Sequence, residues 1–315
     1  MVSPPMFFDA SIDADAAARF LADHLGRTVD DVVEVGAGAW SNCFGFTDSG
    51  TEYVIRFGNH VDDYQKDQVA SAFSSTRLPI PVVTEVGAAF TGYFAISTRA
   101  HGEPLELLGA ADWAATVPEL LAVLDEMRAV PIDADAGFGG WGVNGKAPFA
   151  SWRDFLLAVS VDDAERRTHG WTTKLADSPF GDQAFHAGYA RLAEVSATIP
   201  SPQFLVHSDL INRNVLVRDR RITAVFDWGC SFYGDFLYDI AWIEFWASWY
   251  PAMSDVDFLA VARAHLNDRG VVVQDFDARV RCCLLHIGLD HLAYNAFTGN
   301  MVELGNTVDR LAAFV

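Results

Sequence analysis

One stretch of the chain carries residues that could handle phosphate chemistry. Residues 207–214 read HSDLINRN, and Asp227 follows thirteen residues after Asn214. Transfer of a phosphoryl group between oxygens needs a carboxylate to take the hydroxyl proton, and oxygen ligands for the magnesium that neutralises the triphosphate. The spacing predicts that Asp209 receives or orients the hydroxyl and that Asn214 and Asp227 bind Mg²⁺. The ring of His207 is expected to hold the loop by a hydrogen bond.

Apolar segments flank this stretch and predict how its polar side chains are placed. Residues 204–206 and 215–217 have the composition of short strands, and a third apolar run at 222–226 ends directly at Asp227. Residues 218–221 are polar and predict a turn between the second and third runs. The resulting hairpin would bring Asp227 back beside Asn214.

The rest of the chain predicts two regions of different secondary structure. Short β-prone runs separated by glycine turns predict a small antiparallel sheet with one inserted helix in the N-terminal region. From residue 112 onward the apolar periodicity is mainly helical. We therefore expect an α+β protein with a mainly antiparallel N-terminal unit at 1–98, a hinge at about 97–102 and a larger, mainly helical unit at 99–315.

Composition restricts the class of function. The 315 residues are 51% hydrophobic and 20% charged, which allows a substantial core. No apolar run approaches the ~20 residues of a membrane span, so a cytoplasmic protein without a membrane partner is expected. The net charge of −20 argues against a nucleic-acid partner. It would attract a cationic substrate, although an acidic surface that only maintains solubility explains the charge equally well.

The loop at 207–214, followed by Asp227-Trp228, resembles the catalytic loop of the aminoglycoside phosphotransferase family, a variant of the protein-kinase loop. Similar segments are spread over most of the chain, at residues 78–81 (LPIP), 151–155 (SWRDF), 221–228 (RITAVFDW) and 287–290 (IGLD). The resemblance implies a two-lobed, protein-kinase-like fold. It also implies transfer of the γ-phosphoryl group of ATP to a hydroxyl of a small cationic molecule, with an aminoglycoside such as hygromycin B as the leading acceptor.

The resemblance further assigns residues to the nucleotide phosphates. The glycine turn at 36–42 would cover them, with Gly38 and Ser41 as contacts. Kinase-like enzymes place a lysine on the next strand and pair it with an acid on the inserted helix. Here Arg56 occupies the strand position, and Asp67 is the expected partner.

The resemblance also implies contacts with the nucleotide base. Backbone groups around Thr98 and Ala100 would pair with the base, but backbone groups leave no sequence signature that distinguishes ATP from GTP. Lys66 is a possible substitute for the missing lysine, but a solvated charge on the helix surface is the favoured interpretation.

Three acidic residues complete the predicted site. The resemblance implies that Asp239 braces the catalytic loop. Glu244 and Asp290 each stand alone among apolar residues on a predicted helix, and both would bind the acceptor if the family resemblance holds. A buried carboxylate is costly unless it is paired, and the partner of Glu244 could be a substrate ammonium or an internal arginine.

Two other functions fit the same residues. The acceptor could be another small alcohol, such as a different antibiotic, choline or a sugar. Because Arg56 replaces the usual lysine, the chain could instead be a pseudokinase that binds nucleotide without transferring phosphate. In each case the expected partners are a nucleotide and a small molecule, and a monomer is the expected state.

Overall fold

The structure is a computed structural model that describes residues 12–37 and 40–315. It divides into two compact units. The first, termed the sheet unit, contains the residues up to Glu103 together with Asn214–Cys230. The second, termed the helical unit, contains Pro104–Arg213 and Ser231–Val315.

The elements are numbered in chain order. The helices are α1 (Ala14–Leu25), α2 (Val61–Ala70), α3 (Ala110–Ala129), α4 (Trp152–Leu157), α5 (Trp171–Ala176), α6 (Gln183–Ser196), α7 (Leu237–Trp246), α8 (Pro251–Ser254), α9 (Phe258–Asp268), α10 (Phe276–Thr298) and α11 (Met301–Ala312). The strands are β1 (Asp30–Ala37), β2 (Ser41–Asp48), β3 (Thr51–Gly58), β4 (Val83–Ala89), β5 (Gly92–Thr98), β6 (Glu103–Pro104), β7 (Gly139–Gly140), β8 (Phe204–Val206), β9 (Val215–Arg218), β10 (Arg221–Val225) and β11 (Phe232–Gly234).

The sheet unit is built on a five-stranded antiparallel sheet with the strand order β1-β2-β3-β5-β4. Alternate residues of a strand point to opposite faces, so Phe44 of β2 and Ile55 and Phe57 of β3 bury their side chains in one core. Helix α1 covers this core with Leu21, which is fully buried. The sheet therefore holds β3 rigidly by pairing on both edges and packing on one face.

Capping residues fix the ends of α1. The Asp13 carboxylate accepts a hydrogen bond from the amide of Ala16 at 2.8 Å, which satisfies one of the unpaired donors at the helix start. The helix ends at Gly26, whose φ of 68° is in the left-handed region that favours glycine. The sequence by itself predicts a helix that begins after Asp13 and runs to about Leu25, because an acidic start precedes apolar residues, and the observed bounds agree.

Strands β9 and β10 form the hairpin that the sequence predicts, with Val215 paired to Val225 and Arg218 to Arg221. The hairpin packs within the sheet unit, because the amide of Val225 donates to the carbonyl of Pro79 at 2.8 Å. The sequence-based division assigns the hairpin to the second unit, at 99–315, because it follows the order of the chain. In the structure residues 214–230 belong to the first unit.

The helical unit is organised around α10, which packs against α5, α6, α7 and α11. Leu285, Leu289 and Leu292 of α10 are fully buried, as expected for a helix that has neighbours on several sides. A short sheet with the order β7-β11-β8 lies in the same unit. Strand β8 leads directly into the loop at 207–214, so the packed unit fixes the start of that loop.

The expected α+β class is confirmed, with an antiparallel sheet unit and a mainly helical unit. None of the helices within 12–37 and 40–315 combines the length and the hydropathy that crossing a bilayer would require.

Candidate active site

The loop at 207–214 is held in an unusual backbone conformation. Ser208, Asn212 and Arg213 have φ values of 63°, 62° and 70°, in the left-handed region that is sparsely populated by residues other than glycine. Each such residue costs roughly 1–3 kcal/mol unless its surroundings compensate. The loop therefore needs anchors, and buried carboxylates supply them at both ends.

Asp239 of α7 anchors the start of the loop. Its two carboxylate oxygens accept the amide N–H groups of His207 at 2.9 Å and Ser208 at 2.8 Å. The side chain is almost fully buried, and this burial raises the pKa of Asp239 to about 7 although both amide hydrogen bonds act in the opposite direction. The contact is the one expected of a bracing residue, and the functional role stays a prediction.

Asp209 lies in the middle of the anchored loop and is partly exposed. Its amide donates to Nδ1 of the buried His207 at 3.2 Å, and its Oδ1 accepts from the side-chain amide of Asn212 at 2.7 Å. His207 thus supports the loop from within, as its sequence position suggests. The carboxylate of Asp209 is oriented by its neighbours and still accessible to a substrate hydroxyl.

Glu106 anchors the end of the loop, and sequence reasoning missed it. Its Oε1 accepts the amide N–H of Arg213 at 2.7 Å, while its Oε2 is buried and has no hydrogen-bond partner among the described residues. Burial raises the pKa of Glu106. The only sequence signal is an acid between two leucines at 105–107, which gives no hint of a partner 107 residues away.

Tyr250 belongs to the same helical unit as Asp209 and is affected by its charge. Burial raises the pKa of Tyr250 to about 12; the negative charges of Glu106, Asp209 and Glu303 add to the effect, and the charge of Arg213 opposes it. These three carboxylates therefore lie close enough to Tyr250 to act on the same hydroxyl.

Asn214 and Asp227 belong to the sheet unit, at the open end of the β9–β10 hairpin. The carbonyl of Asn214 accepts the amide N–H of Phe226 at 3.0 Å, so the hairpin brings the two residues together as predicted. Asn214 is buried and Asp227 is exposed, with a φ of 65°. One carboxylate and one carboxamide are hard oxygen donors, which fit Mg²⁺ when phosphate and water oxygens complete its shell.

Within 12–37 and 40–315, no group of three or more His, Cys, Asp or Glu side chains is arranged to hold a metal ion.

Arg56 forms an ion pair with Asp67 of α2, and both side chains are largely buried. Burial opposes the charge of Arg56, but the carboxylates of Asp67 and Asp227 outweigh it and raise the pKa of the arginine. The other oxygen of Asp67 accepts the amide N–H of Trp228 at 2.6 Å. The strand position of the kinase lysine therefore carries a permanently charged group that is paired as predicted.

Lys66 is not the solvated charge that the sequence favours. Its side chain is buried, and Nζ donates to the carbonyl of Gly229 at 2.8 Å. Polar neighbours along α2 suggested an exposed face, but that face packs against the segment that follows Asp227.

The remaining nucleotide positions are less defined. Gly38 lies outside the described residues, and Ser41 begins β2 opposite Gly58. The amide of Thr98 donates to the carbonyl of Val82 at 3.0 Å, so that donor is already used within the sheet unit. Ala100 follows β5 in a loop. Contacts of these residues with a nucleotide stay predictions.

The comparison with known proteins settles the family. A family model described as the phosphotransferase enzyme family matches residues 31–272. A hygromycin-B 4-O-kinase of Escherichia coli is 30% identical over 306 residues, which cover 96% of this chain and 86% of that relative. The chain belongs to the phosphotransferase enzyme family. The resemblance seen in the sequence and the expected class of enzyme are thereby confirmed.

Solved structures agree with this assignment. Crystal structures of the aminoglycoside phosphotransferase APH(4)-Ia include a ternary complex with AMP-PNP and hygromycin B, which matches this phosphotransferase with a TM-score of 0.82 at 28% identity. The match covers 95% of this chain and 97% of that one. The spectinomycin phosphotransferase APH(9)-Ia, in complex with ADP and spectinomycin, matches with a TM-score of 0.62 at 14% identity over 96% of this chain and 99% of that one, which shows a shared fold alone.

The two acids predicted to bind the acceptor of this phosphotransferase have different surroundings. Glu244 is paired with Arg310, whose Nη2 donates to the carboxylate Oε1 at 3.2 Å and to the carbonyl of Glu244 at 2.7 Å. Of the two partners that the sequence left open, the structure contains the internal arginine. Asp290 is exposed on α10 and needs no internal partner.

Proposed function

We propose that this phosphotransferase moves the γ-phosphoryl group of ATP to a hydroxyl of an aminoglycoside, with hygromycin B as the first candidate. The observation that carries the proposal is the anchored loop with Asp209 at its centre, in a chain that is 30% identical to a hygromycin-B 4-O-kinase over 96% of its length. AMP-PNP and hygromycin B in the structure of APH(4)-Ia support ATP as the donor and an aminoglycoside as the acceptor.

In this proposal each half of the reaction has its own residues. The acceptor oxygen forms a bond to the γ-phosphorus as the bond to the β–γ bridging oxygen breaks, and ADP leaves. The hydroxyl proton passes to the carboxylate of Asp209, which Asn212 orients. Arg56 holds phosphate oxygens by its fixed charge, together with Ser41.

Magnesium fits the remaining residues. Asn214 and Asp227 would hold the ion, which neutralises charge on the phosphates when it is bound. Because the formal net charge of the chain is −20, this neutralisation also reduces repulsion between the protein and ATP.

The acceptor side of the proposal rests on charge. The charges of Glu106, Asp209 and Glu303 all act on Tyr250, and Asp290 is an exposed acid on α10. Amino groups of an aminoglycoside would find carboxylate partners there. An ammonium group would form a charge-assisted hydrogen bond with the buried Oε2 of Glu106, which is stronger than the bond that a neutral hydroxyl would form. A cationic acceptor is therefore favoured over other alcohols.

The test is an ADP-release assay over a panel of acceptors, with and without Mg²⁺. The panel contains hygromycin B, spectinomycin, other aminoglycosides, choline and simple amino alcohols. Hygromycin B should give the highest kcat/KM, and mass spectrometry should show one added phosphoryl group. Absence of acceptor-dependent ADP release across the panel, together with intact binding of Mg·AMP-PNP, would instead support the pseudokinase alternative.

A further inference from the structure

Helix α2 forms hydrogen bonds with the main chain directly after the predicted metal ligand Asp227. Lys66 donates to the carbonyl of Gly229 at 2.8 Å, and Asp67 accepts the amide N–H of Trp228 at 2.6 Å. Asp63 lies one turn earlier on the same face of the helix. A β-carbon on Gly229 would come within 2.8 Å of the Asp63 carboxylate, so helix and segment are in close contact.

Burying an ammonium group at this position is costly and therefore informative. Lys66 is one of only three lysines in the chain, with Lys146 and Lys174. Its burial lowers the pKa of Lys66 to about 8 despite nearby negative charges. A leucine or methionine would fill the same space without the desolvation penalty. It could not, however, donate a hydrogen bond to the Gly229 carbonyl.

We propose that Lys66 is a positioning residue for Asp227, which it acts on through the Gly229 carbonyl. This inference rests on the proposed role of Asp227 as a magnesium ligand. Asp227 has a left-handed φ of 65°, a conformation that a residue other than glycine keeps only when its neighbours fix it. Two residues of α2 hold the main chain directly after Asp227. Asp67 accepts the amide N–H of Trp228, and Lys66 donates to the carbonyl of Gly229.

The proposal differs from a direct role of Lys66 in binding phosphate. A phosphate-binding lysine would strengthen nucleotide binding with or without magnesium. A lysine that positions Asp227 would affect only the gain in nucleotide affinity that magnesium provides. Measuring the nucleotide affinity once with Mg²⁺ and once without it distinguishes the two roles.

The experiment is calorimetric titration of the full-length protein with AMP-PNP, once with Mg²⁺ and once with EDTA. For Lys66→Met we expect unchanged affinity in EDTA and a loss on the order of tenfold in Mg²⁺, the scale seen when groups that support metal ligands are removed. In turnover assays, the Mg²⁺ concentration for half-maximal rate should rise by a similar factor. Lys66→Gln retains an N–H donor and should recover part of the loss; it also serves if the methionine variant does not fold.

Lys174→Met is the matched control. Lys174 also donates to a main-chain carbonyl, that of Phe297 at 2.7 Å, but in the helical unit. It should bind nucleotide like the unaltered protein under both conditions.

Two results would overturn the proposal. One is a magnesium-dependent gain in Lys66→Met equal to that of the unaltered protein; the other is an equal loss of affinity in EDTA and in Mg²⁺, which would indicate phosphate binding. Asp227→Asn tests the proposed role of Asp227 as a magnesium ligand independently of Lys66. A normal magnesium response in that variant would refute this role.

Discussion

The carboxylate of Asp239 accepts the amide N–H of Ser208 at 2.8 Å, and Ser208 is the first residue of the loop with a left-handed backbone. The same carboxylate accepts the amide of His207. Two donors on one rigid acceptor define the direction in which the chain enters the loop. The strained conformation next to Asp209 is thereby held by a side chain from α7, in the core of the helical unit.

Asp239→Asn should lower both stability and turnover. The asparagine side chain can accept one of the two amides, but its NH₂ group faces the other, and a buried unsatisfied donor costs about 1–3 kcal/mol. If half of that penalty falls on the loop geometry, kcat falls by about two- to tenfold. Thermal unfolding and the ADP-release assay measure the two effects, with Asp268→Asn, at an exposed position of α9, as the control.

The pH dependence of stability gives a second readout for Asp239. Its pKa in the folded protein is about 7, above the ordinary value of 3.8. Between these values the folded state holds a proton that the unfolded state has released, so this group stabilises the fold at low pH and the contribution is lost as pH rises towards 7. The unaltered protein should therefore gain stability relative to Asp239→Asn on going from pH 8 to pH 5. A difference that does not change with pH would contradict the buried carboxyl described here.

Asp209→Ala should abolish most phosphoryl transfer while leaving nucleotide binding intact. In the proposed function the carboxylate accepts the hydroxyl proton, and loss of such a group lowers rates by about 10²–10⁴-fold. The measurements are kcat with hygromycin B and titration with Mg·AMP-PNP. Near-native turnover in this variant would remove Asp209 from the reaction.

Glu106→Gln should weaken acceptor binding specifically. The glutamine keeps an oxygen for the Arg213 amide but removes the charge at the buried Oε2 position. If an ammonium group of the acceptor pairs there, the acceptor KM should rise about tenfold, the scale of a charge-assisted hydrogen bond, at constant nucleotide KM. An unchanged acceptor KM would leave Glu106 as a loop anchor only.

Glu244→Gln provides the comparison for that test. Because Arg310 already pairs with this carboxylate, we expect a lower melting temperature and little change in the acceptor KM. A selective rise in the acceptor KM would instead restore the sequence-based interpretation that Glu244 binds the substrate.

Arg56→Lys should raise the nucleotide KM by roughly tenfold. The lysine keeps the charge but loses the planar fork that can bind Asp67 and phosphate oxygens together. Arg27→Lys is the control, since Arg27 pairs with Asp48 at the surface of the same unit, where an ion pair contributes little. Equal nucleotide KM values in the two variants would exclude Arg56 from the phosphates.

Local patterns predict those parts of the molecule that depend on neighbours in sequence. The apolar runs at 215–217 and 222–226 and the polar turn at 218–221 predict the β9–β10 hairpin, and this hairpin brings Asn214 and Asp227 together. Asp13 predicts the start of α1 because a cap acts within a few residues. In each case the interacting residues are close in the chain, so their types are sufficient evidence.

Contacts between distant segments account for what the sequence did not predict. The partner of Glu106 is 107 residues away, that of Lys66 is 163 residues away and that of Glu244 is 66 residues away. Lys66 lies among polar residues on α2, so its periodicity is that of an exposed position. The packing of α2 against residues 228–230, where Lys66 binds the Gly229 carbonyl, contributes to its burial.

The carboxylate of Asp67 has one oxygen on Arg56 and the other on the amide of Trp228. A ligand that stabilises the contact of Asp67 with Arg56 therefore also favours the contact of Asp67 with Trp228, and the reverse holds as well. Thermodynamic linkage makes this relationship reciprocal. Triphosphate and magnesium should consequently bind with positive cooperativity, and Asp67→Asn should make their affinities more nearly independent.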